Sequence, residues 1–255
     1  RDVLGSRGLG DVYKRQVCFF IVASLIVIGV NYSQIGNAFT AIFEFAFSPN
    51  AAWGGAVGLT ISQVITLGFK RGVFSNEAGL GSSVMVNSNS NVQEPARQGF
   101  WGIFEVFVDT IIVCTMTALV ILTSGVIELN TGKLAEGTTG DATLVAKAFD
   151  SVFSIGGINI GSMFIAIAIF LFAFTTVLGW SHYGTKAWEF LFGVKSTFAY
   201  KIFFVFIIIF GAVMTSSLAW DISDTFNGMM MIPNLIGVIA VSYTHLRAHE
   251  TLRHL

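Results

Sequence analysis

The sequence predicts an all-α polytopic membrane protein, and its composition is the first evidence. Of the 255 residues, 54% are hydrophobic and 11% are charged, whereas about 25% of the residues are charged in an average soluble domain. Phe and Gly are abundant, at 25 and 27 residues, while Pro is rare, at 3. Such a chain exposes most of its surface to lipid, and abundant Gly suits helices that pack closely in a bilayer. A net charge of −1 without a basic run argues against a nucleic-acid partner.

Apolar stretches separated by short polar breaks are the second observation. A helix needs about 20 mostly apolar residues to cross the hydrocarbon core, and the candidate spans are 17–32, 52–69, 100–124, 157–180, 202–219 and 228–241. Residues 128–153 differ from these, because the apolar residues Leu144, Val145, Ala148, Phe149 and Val152 recur there at helical spacing between polar ones. This pattern predicts an external amphipathic helix that caps the membrane domain without crossing the bilayer. Gly157 and Gly161 have the spacing typical of a close helix–helix contact.

The two ends of the chain read differently from its middle. Residues 1–16 and 241–255 contain several basic residues and three of the four histidines, and neither has an apolar helical period. Both resemble translated sequencing-adaptor sequence, with native basic juxtamembrane tails as the alternative. We therefore predict non-native tails at 1–16 and 241–255 around a membrane domain at 17–240. The clustered histidines of the second tail are not predicted to bind a metal.

The distribution of charges predicts an orientation. Cytoplasmic loops of membrane proteins collect Lys and Arg, which places Lys70 and Arg71 on the cytoplasmic side, together with Arg97, Lys186, Lys195 and Lys201. If every candidate span crosses the bilayer, Asp221 and Asp224 lie on the outer side.

The stretch from Lys70 to Gln98 (KRGVFSNEAGLGSSVMVNSNSNVQEPARQ) follows an apolar helix but is rich in small, polar and acidic residues. Asn76, Glu77 and the neighbouring serines supply oxygen ligands, while Gly72, Gly79 and Gly81 permit an unwound backbone. These residues predict a discontinuous helix of the kind that transporters place at a binding site. The alternative is an ordinary polar loop in which Ser75 or Asn76 caps a short helix.

A second polar group, Thr175, Thr176, Gly179 and Trp180, lies within the stretch FTTVLGWSHYG of the fourth span. Adjacent hydroxyls can coordinate a hard cation, Gly179 can loosen the helix, and Trp180 offers an apolar wall. Threonines in membrane helices also commonly bond back to their own helix, and Trp180 can belong to an interfacial aromatic belt. Both interpretations are open on the residues alone.

Two acids, Glu105 and Asp109, lie four residues apart on one face of the third span. Asp109 lies about 13 Å along this helix at 1.5 Å per residue. A carboxylate at such depth is costly unless it is protonated, paired or bound to a cation, so both acids, with Glu77, are candidates for ion coupling. A structural hydrogen bond to an unwound neighbouring segment is the alternative for Asp109.

Three separated motifs, in this order and at these distances, resemble the alanine/glycine:cation symporter family. They are GFKRGVFSNEAGLGSS at 68–83, EVFVDTIIVCTMTALVILTSG at 105–125 and LFAFTTVLGWSHYG at 171–184. The resemblance implies a partial LeuT-like fold, in which two inverted five-helix repeats each begin with a broken helix. Residues 17–240 would then be the C-terminal half of the transporter domain, with about six transmembrane helices, and 52–93 would be the broken sixth helix.

The resemblance also implies a function and a site. It implies Na⁺-coupled symport of a small neutral amino acid, alanine or glycine, across a prokaryotic plasma membrane, with the lipid bilayer as surroundings and no cofactor beyond the transported Na⁺. Thr175 and Thr176 would bind Na⁺, and the amino acid would contact Thr176, Gly179, Trp180, Asn76 and Gly79. After Gly81 this chain has Ser82-Ser83-Val84-Met85, where many family members have a small-residue run with Ala and Pro, so the exact substrate stays open. No catalytic residue is predicted; a pore, or less readily an intramembrane enzyme, is the alternative.

Overall fold

The structure is a computed structural model that describes residues 3–47, 61–87, 90–92, 95–131, 133–135 and 142–252. The helices are α1 (Val3–Val30), α2 (Ile35–Phe47), α3 (Ile61–Ser75), α4 (Ser82–Asn87), α5 (Pro95–Phe107), α6 (Cys114–Thr123), α7 (Ala142–Asp150), α8 (Ile160–Phe192), α9 (Thr197–Val213) and α10 (Ser216–Leu252). Short 3₁₀ turns occupy Tyr32–Gln34 and Val194–Ser196, and a π-helical turn, Val108–Val113, joins α5 to α6. The strands β1 (Ser154–Ile155) and β2 (Ile158–Asn159) form a small hairpin.

Four helical stretches among the described residues are long and apolar enough to cross a membrane. They are Ala96–Thr123, Ile160–Phe192, Val194–Val213 and Ser216–Ser242. A bent pair, Arg15–Val30 with Tyr32–Glu44, passes the same test together with a bend of 76°. The all-α polytopic class is therefore confirmed. The predicted span 52–69 falls partly outside the described residues, and only its end is seen, in α3.

The chain divides into two compact units, Arg1–Gln63 with Ile103–Gly179, and Val64–Gly102 with Trp180–Leu255. The core of the first unit is a cluster of fully or nearly buried residues from α1, α6, α7, α8 and the segment that follows α6. Its buried members are Val27, Val120, Val126, Ala148, Phe149 and Ile165, and Leu144, Val145 and Val152 pack against them. The predicted amphipathic helix is thus confirmed in α7, which buries Ala148 and Phe149 completely.

The start of α8 approaches α7 closely, and Gly161 makes this possible. A Cβ atom there would lie 2.5 Å from the backbone carbon of Phe149. The carboxylate of Asp150 accepts hydrogen bonds from the backbone N–H of Ser162, at 2.7 Å, and from its hydroxyl. Gly157, by contrast, turns the β1–β2 hairpin with φ of 81° and does not lie on a helix. The expected Gly157–Gly161 helix contact is therefore wrong for Gly157, because this positive φ matches a tight hairpin turn.

In the second unit, α3 packs against α10. The Asp224 carboxylate lies 3.4 Å from Lys70 Nζ and 3.3 Å from Arg71 Nη2. The prediction that these cations and Asp224 lie on opposite sides of the membrane is therefore wrong. Counting charges assumes that each charge marks the end of a crossing helix, but Asp224 lies inside the candidate span Ser216–Ser242.

The two ends of the chain are helical where they are described. α1 begins at Val3 and α10 continues to Leu252. A helix that runs into either segment does not distinguish native from foreign residues, so the division at 16 and 241 stays a prediction.

Candidate substrate and cation site

The predicted discontinuous helix is present between α3 and α4. Residues 76–81 form turns, and three of them, Glu77 at 48°, Gly79 at 77° and Gly81 at 80°, have positive φ. Only glycine adopts this region without steric cost, since a Cβ atom crowds the following carbonyl. The two glycines therefore place the break in the helix, and Glu77 carries backbone strain of the kind that accumulates at binding sites. Gly72, by contrast, lies within α3 and does not break it.

Asn234 of α10 stabilises the break from the side. Its side-chain amide donates a hydrogen bond to the carbonyl of Gly79 at 3.0 Å, and a Cβ atom on Gly81 would lie 2.5 Å from Asn234 Oδ1. Helix α10 thus occupies the space that a side chain at Gly81 would need. Asn234 was missed in the sequence, although a polar residue directly after Pro233 in an apolar helix is a usable signal.

Glu77, the acid at the break, accepts a hydrogen bond from a residue close to it in sequence. The hydroxyl of Ser82 donates a hydrogen bond of 2.7 Å to Glu77 Oε2, and Ser82 is 1% exposed. Asn76 is half-buried in the same turn. Of the predicted site residues, the structure therefore brings Asn76, Glu77 and Gly79 together in one short segment of the second unit.

The threonine pair lies on α8, which is continuous through Gly179. Thr175 is half-buried, and its hydroxyl donates to the carbonyls of Leu171 and Phe172, both at 3.0 Å. Its proton is thus used within the helix, while the lone pairs of the oxygen can still coordinate a cation. Thr176 is exposed. Continuity corrects the expectation that Gly179 loosens the helix, since the backbone there keeps its helical bonds.

The helical period pairs the predicted residues of α8 in two adjacent rows. Thr175 and Gly179 are four residues apart and share one row, and Thr176 and Trp180 share the next. A Cβ atom at Gly179 would meet no described atom within 4 Å. The Trp180 ring lies 5.5 Å from that of Tyr183. Trp180 belongs to the second unit and the other three residues to the first.

The two acids of the third span lie in different backbone settings. Glu105 is exposed on α5, whereas Asp109 is half-buried in the π-helical turn Val108–Val113. The N–H of Cys114 donates to the carbonyl of Asp109, which closes the wider π-type ring. Single π-turns inside α-helices occur often at functional sites, and no residue pattern in this stretch predicts one.

The first unit also contains a polar cavity that is not among the sequence predictions. It has a volume of about 600 Å³ and lies between α2 and the segment that follows α6. Its polar lining includes Asn31, Gln34, Asn37, Thr40, Glu44 and Asn130. The residues from α2 recur three or four apart, and this amphipathic period is the signal that could have revealed both the helix and the cavity.

Comparison with known proteins places these features in a family context. The family model described as the sodium:alanine symporter family matches residues 15–254. The sodium/alanine symporter AgcS of Methanococcus maripaludis is 39% identical over 238 residues, covering 92% of this chain and 49% of that protein. The amino-acid carrier protein AlsT of Bacillus subtilis is 34% identical over 232 residues, covering 91% of this chain and 46% of its own length.

A third relative differs in its named substrate. A Bacillus subtilis protein named as a probable sodium/glutamine symporter, GlnT, is 35% identical over 243 residues, covering 92% of this chain and 48% of that protein. The chain thus spans about half the length of the curated relatives that it matches.

Proposed function

The chain belongs to the sodium:alanine symporter family, and on this premise we propose that it forms the C-terminal half of a Na⁺-coupled symporter for small neutral amino acids, alanine or glycine, with a LeuT-like fold. Membership makes the chain part of a transport protein and not of an enzyme. Its apolar helices fit an integral protein of the bacterial plasma membrane. The pore alternative is not favoured, because the relatives are named as symporters and carriers.

The interrupted helix at residues 76–81 is the observation that carries the proposal. A break inside a membrane helix leaves backbone N–H and C=O groups without helical partners, and such groups are tolerated only where they face protein, a ligand or water. Asn234 engages the carbonyl of Gly79, so α10 satisfies one backbone group of the break and packs against it from one side. Asn76 and the backbone at Gly79 are proposed to hydrogen-bond the amino acid.

Helix α8 is proposed to supply the cation ligands. Na⁺ prefers oxygen ligands, and Thr175 and Thr176 are consecutive residues that each carry a hydroxyl oxygen on α8. The backbone bonds of Thr175 orient its oxygen, because the donated proton fixes the rotamer. Thr176, Gly179 and Trp180 are proposed to contact the amino acid, with Gly179 providing space where a larger side chain would stand.

The acids are proposed to tune coupling. Asp109 lies half-buried within the candidate span Ala96–Thr123, where a negative charge favours a bound cation nearby. Glu77 is strained and hydrogen-bonded at the break, so its charge can influence the local conformation. Glu105 is exposed, which makes it the weakest candidate of the three.

The resemblance assigns part of the cation site to the first helix of the fold, and we propose that this helix belongs to the other half of the transporter. The test compares proteoliposomes that contain this chain alone with proteoliposomes of the longer protein that carries it. Uptake of radiolabelled alanine is measured with an inward Na⁺ gradient and with a K⁺ gradient. We expect Na⁺-dependent, saturable uptake by the longer protein and none by the chain alone.

Two outcomes would contradict the proposal. Na⁺-dependent uptake by the chain alone would show that this half is sufficient. Currents through the longer protein that fail to saturate with amino acid would indicate a pore. Competition by glycine and by glutamine in the same assay identifies the substrate class.

A further inference from the structure

Two cations and one carboxylate meet where α3 packs against α10. Lys70 Nζ and Arg71 Nη2 both approach the same oxygen, Asp224 Oδ2, at 3.4 and 3.3 Å. Asp221, one turn earlier on α10, makes no ion pair with either cation among the described residues. The ionised cluster therefore has a net charge of +1.

The guanidinium of Arg71 is fixed in position, but only one of its two terminal nitrogens has a hydrogen-bond partner among the described residues. It donates to Asp224 through Nη2 alone, and its Cζ lies 3.8 Å from the centroid of the Trp220 ring, which covers one face. The Phe74 ring packs edge-on against Trp220 at 5.2 Å. The second terminal nitrogen, Nη1, is buried and has no hydrogen-bond partner among the described residues.

The depth of the cluster makes this arrangement costly without a further partner. Asp224 lies eight residues into the candidate span Ser216–Ser242, about 12 Å along the helix at 1.5 Å per residue, and its side chain is 12% exposed. An uncompensated positive charge inside a membrane protein marks a functional group by default. The Arg71 side chain as a whole is 41% exposed, whereas Nη1 itself is buried, so a ligand that approaches the side chain reaches this nitrogen only when the guanidinium or the groups that cover it shift.

We propose that Arg71 and Lys70, held in place by Asp224 and Trp220, form a binding site for a carboxylate, and that its ligand is the α-carboxylate of the transported amino acid. Arginine presents a planar fork that matches two carboxylate oxygens. Asp224 occupies one prong through a single oxygen, and the ligand takes the unpaired Nη1 and neutralises the excess charge. The identity of the ligand rests on the proposed function, whereas binding of a carboxylate follows from the cluster itself.

The proposed carboxylate site is a second binding site, close to the break that follows α3. Arg71 lies four residues before the end of α3, and α10 supplies both Asp224 to the cluster and Asn234 to the carbonyl of Gly79. An amino acid held at Arg71 would therefore lie on α3, and the break that is proposed to bind the amino acid directly follows this helix.

The test measures equilibrium binding to the 255-residue chain in lipid nanodiscs without Na⁺, and the fluorescence of Trp220 is the readout. The probes are alanine, acetate, alaninamide and chloride, and the Trp220→Phe variant identifies the signal that arises from this ring. We expect alanine and acetate to change the signal saturably, and alaninamide and chloride to have no effect. Arg71→Gln should weaken acetate binding about tenfold or more, since a charge-assisted contact to Nη1 is lost.

Lys186→Gln is the matched control, because it removes a cation from an exposed ion pair with Glu189, and it should leave acetate binding unchanged. If far-UV circular dichroism shows that Arg71→Gln does not fold, Arg71→Lys keeps the charge, removes the fork and should still weaken binding. The proposal is overturned if alaninamide binds like alanine, if chloride alone binds, or if acetate binding persists in the Arg71 variants. Arg71-dependent acetate binding without Na⁺-coupled uptake by the longer protein would retain this site and refute the proposed function.

Discussion

The break between α3 and α4 and the unbroken segment of α8 both place polar groups within an apolar chain, but they do so with different groups. At residues 76–81 the helix is interrupted, and the polar groups are those of the backbone, held open by glycines with positive φ and by Asn234. In α8 the backbone keeps its hydrogen bonds, and the polar groups are the hydroxyls of Thr175 and Thr176.

The difference implies two kinds of sensitivity to mutation. A site made of backbone depends on the residues that permit its conformation, so a single methyl group can destroy it. A site made of side chains on a regular helix depends on the chemistry of those side chains, so mutations there change ligand binding and leave the fold intact.

The largest effect is expected for Gly81→Ala. The new Cβ atom would lie 2.5 Å from Asn234 Oδ1 at a φ of 80°, and the left-handed conformation alone costs about 1–2 kcal/mol for a residue with a side chain. We expect loss of alanine uptake by the longer protein and a lower thermal unfolding temperature of the chain in detergent.

Gly68→Ala is the control for this substitution. Gly68 lies within α3, and a Cβ atom there would meet no described atom within 4 Å. Ala in a helix interior is more stable than Gly by up to about 1 kcal/mol. Equal losses of uptake and of unfolding temperature in both variants would show that the effect of Gly81→Ala does not arise from the backbone conformation of the break.

Thr175→Val is expected to have the next largest effect. It replaces the hydroxyl with a methyl group of similar size, so the Na⁺ concentration for half-maximal uptake should rise about tenfold or more, equivalent to about 1.4 kcal/mol, while expression and folding persist. Thr175→Ser should retain most of the Na⁺ affinity. Thr185 makes the same kind of backbone bond, to Ser181 at 2.7 Å, and Thr185→Val should leave the Na⁺ dependence unchanged if the role of Thr175 is cation binding.

A double-mutant cycle separates the two contributions of Asn234 to the break. Asn234→Ala removes the hydrogen bond to Gly79 and should destabilise the chain by about 1 kcal/mol. It also removes the oxygen that Gly81→Ala would strike, so the double variant should be more stable than additivity predicts, by about 1 kcal/mol. Strict additivity of the two unfolding free energies would show that Asn234 does not restrict position 81.

The smallest effect is expected for Lys186→Gln on α8. The Lys186–Glu189 pair has a distance of 3.1 Å and is largely exposed, and such pairs contribute less than about 1 kcal/mol. Unfolding temperature and uptake should both stay close to the values of the unaltered protein. A large loss would mean that side-chain contacts on α8 stabilise the fold, which would remove the contrast between the two regions.

Much of this molecule could be predicted from local sequence. The amphipathic helix α7 follows from the spacing of Ala148 and Phe149, and both are fully buried. The break at 76–81 follows from glycines in a polar stretch, and Gly79 and Gly81 have the predicted unwound backbone. The prediction omits two other features: the π-turn at Asp109 has no residue signature, and α2 lies between two candidate spans.

Composition and glycine placement by themselves determined the membrane class, the presence but not the bounds of the apolar spans from the third onward, and the position of the broken helix, because hydropathy and backbone freedom are properties of short segments. Only the tertiary structure decided that Asp224 pairs with Lys70 and Arg71, and that Asn234 holds Gly79. These partners are 153 and 155 residues apart in the cases of Arg71 and Gly79. Each pairing depends on which faces of two helices meet and at what depth, and charge counting, which treats every helix as a separate crossing, contains no information on either.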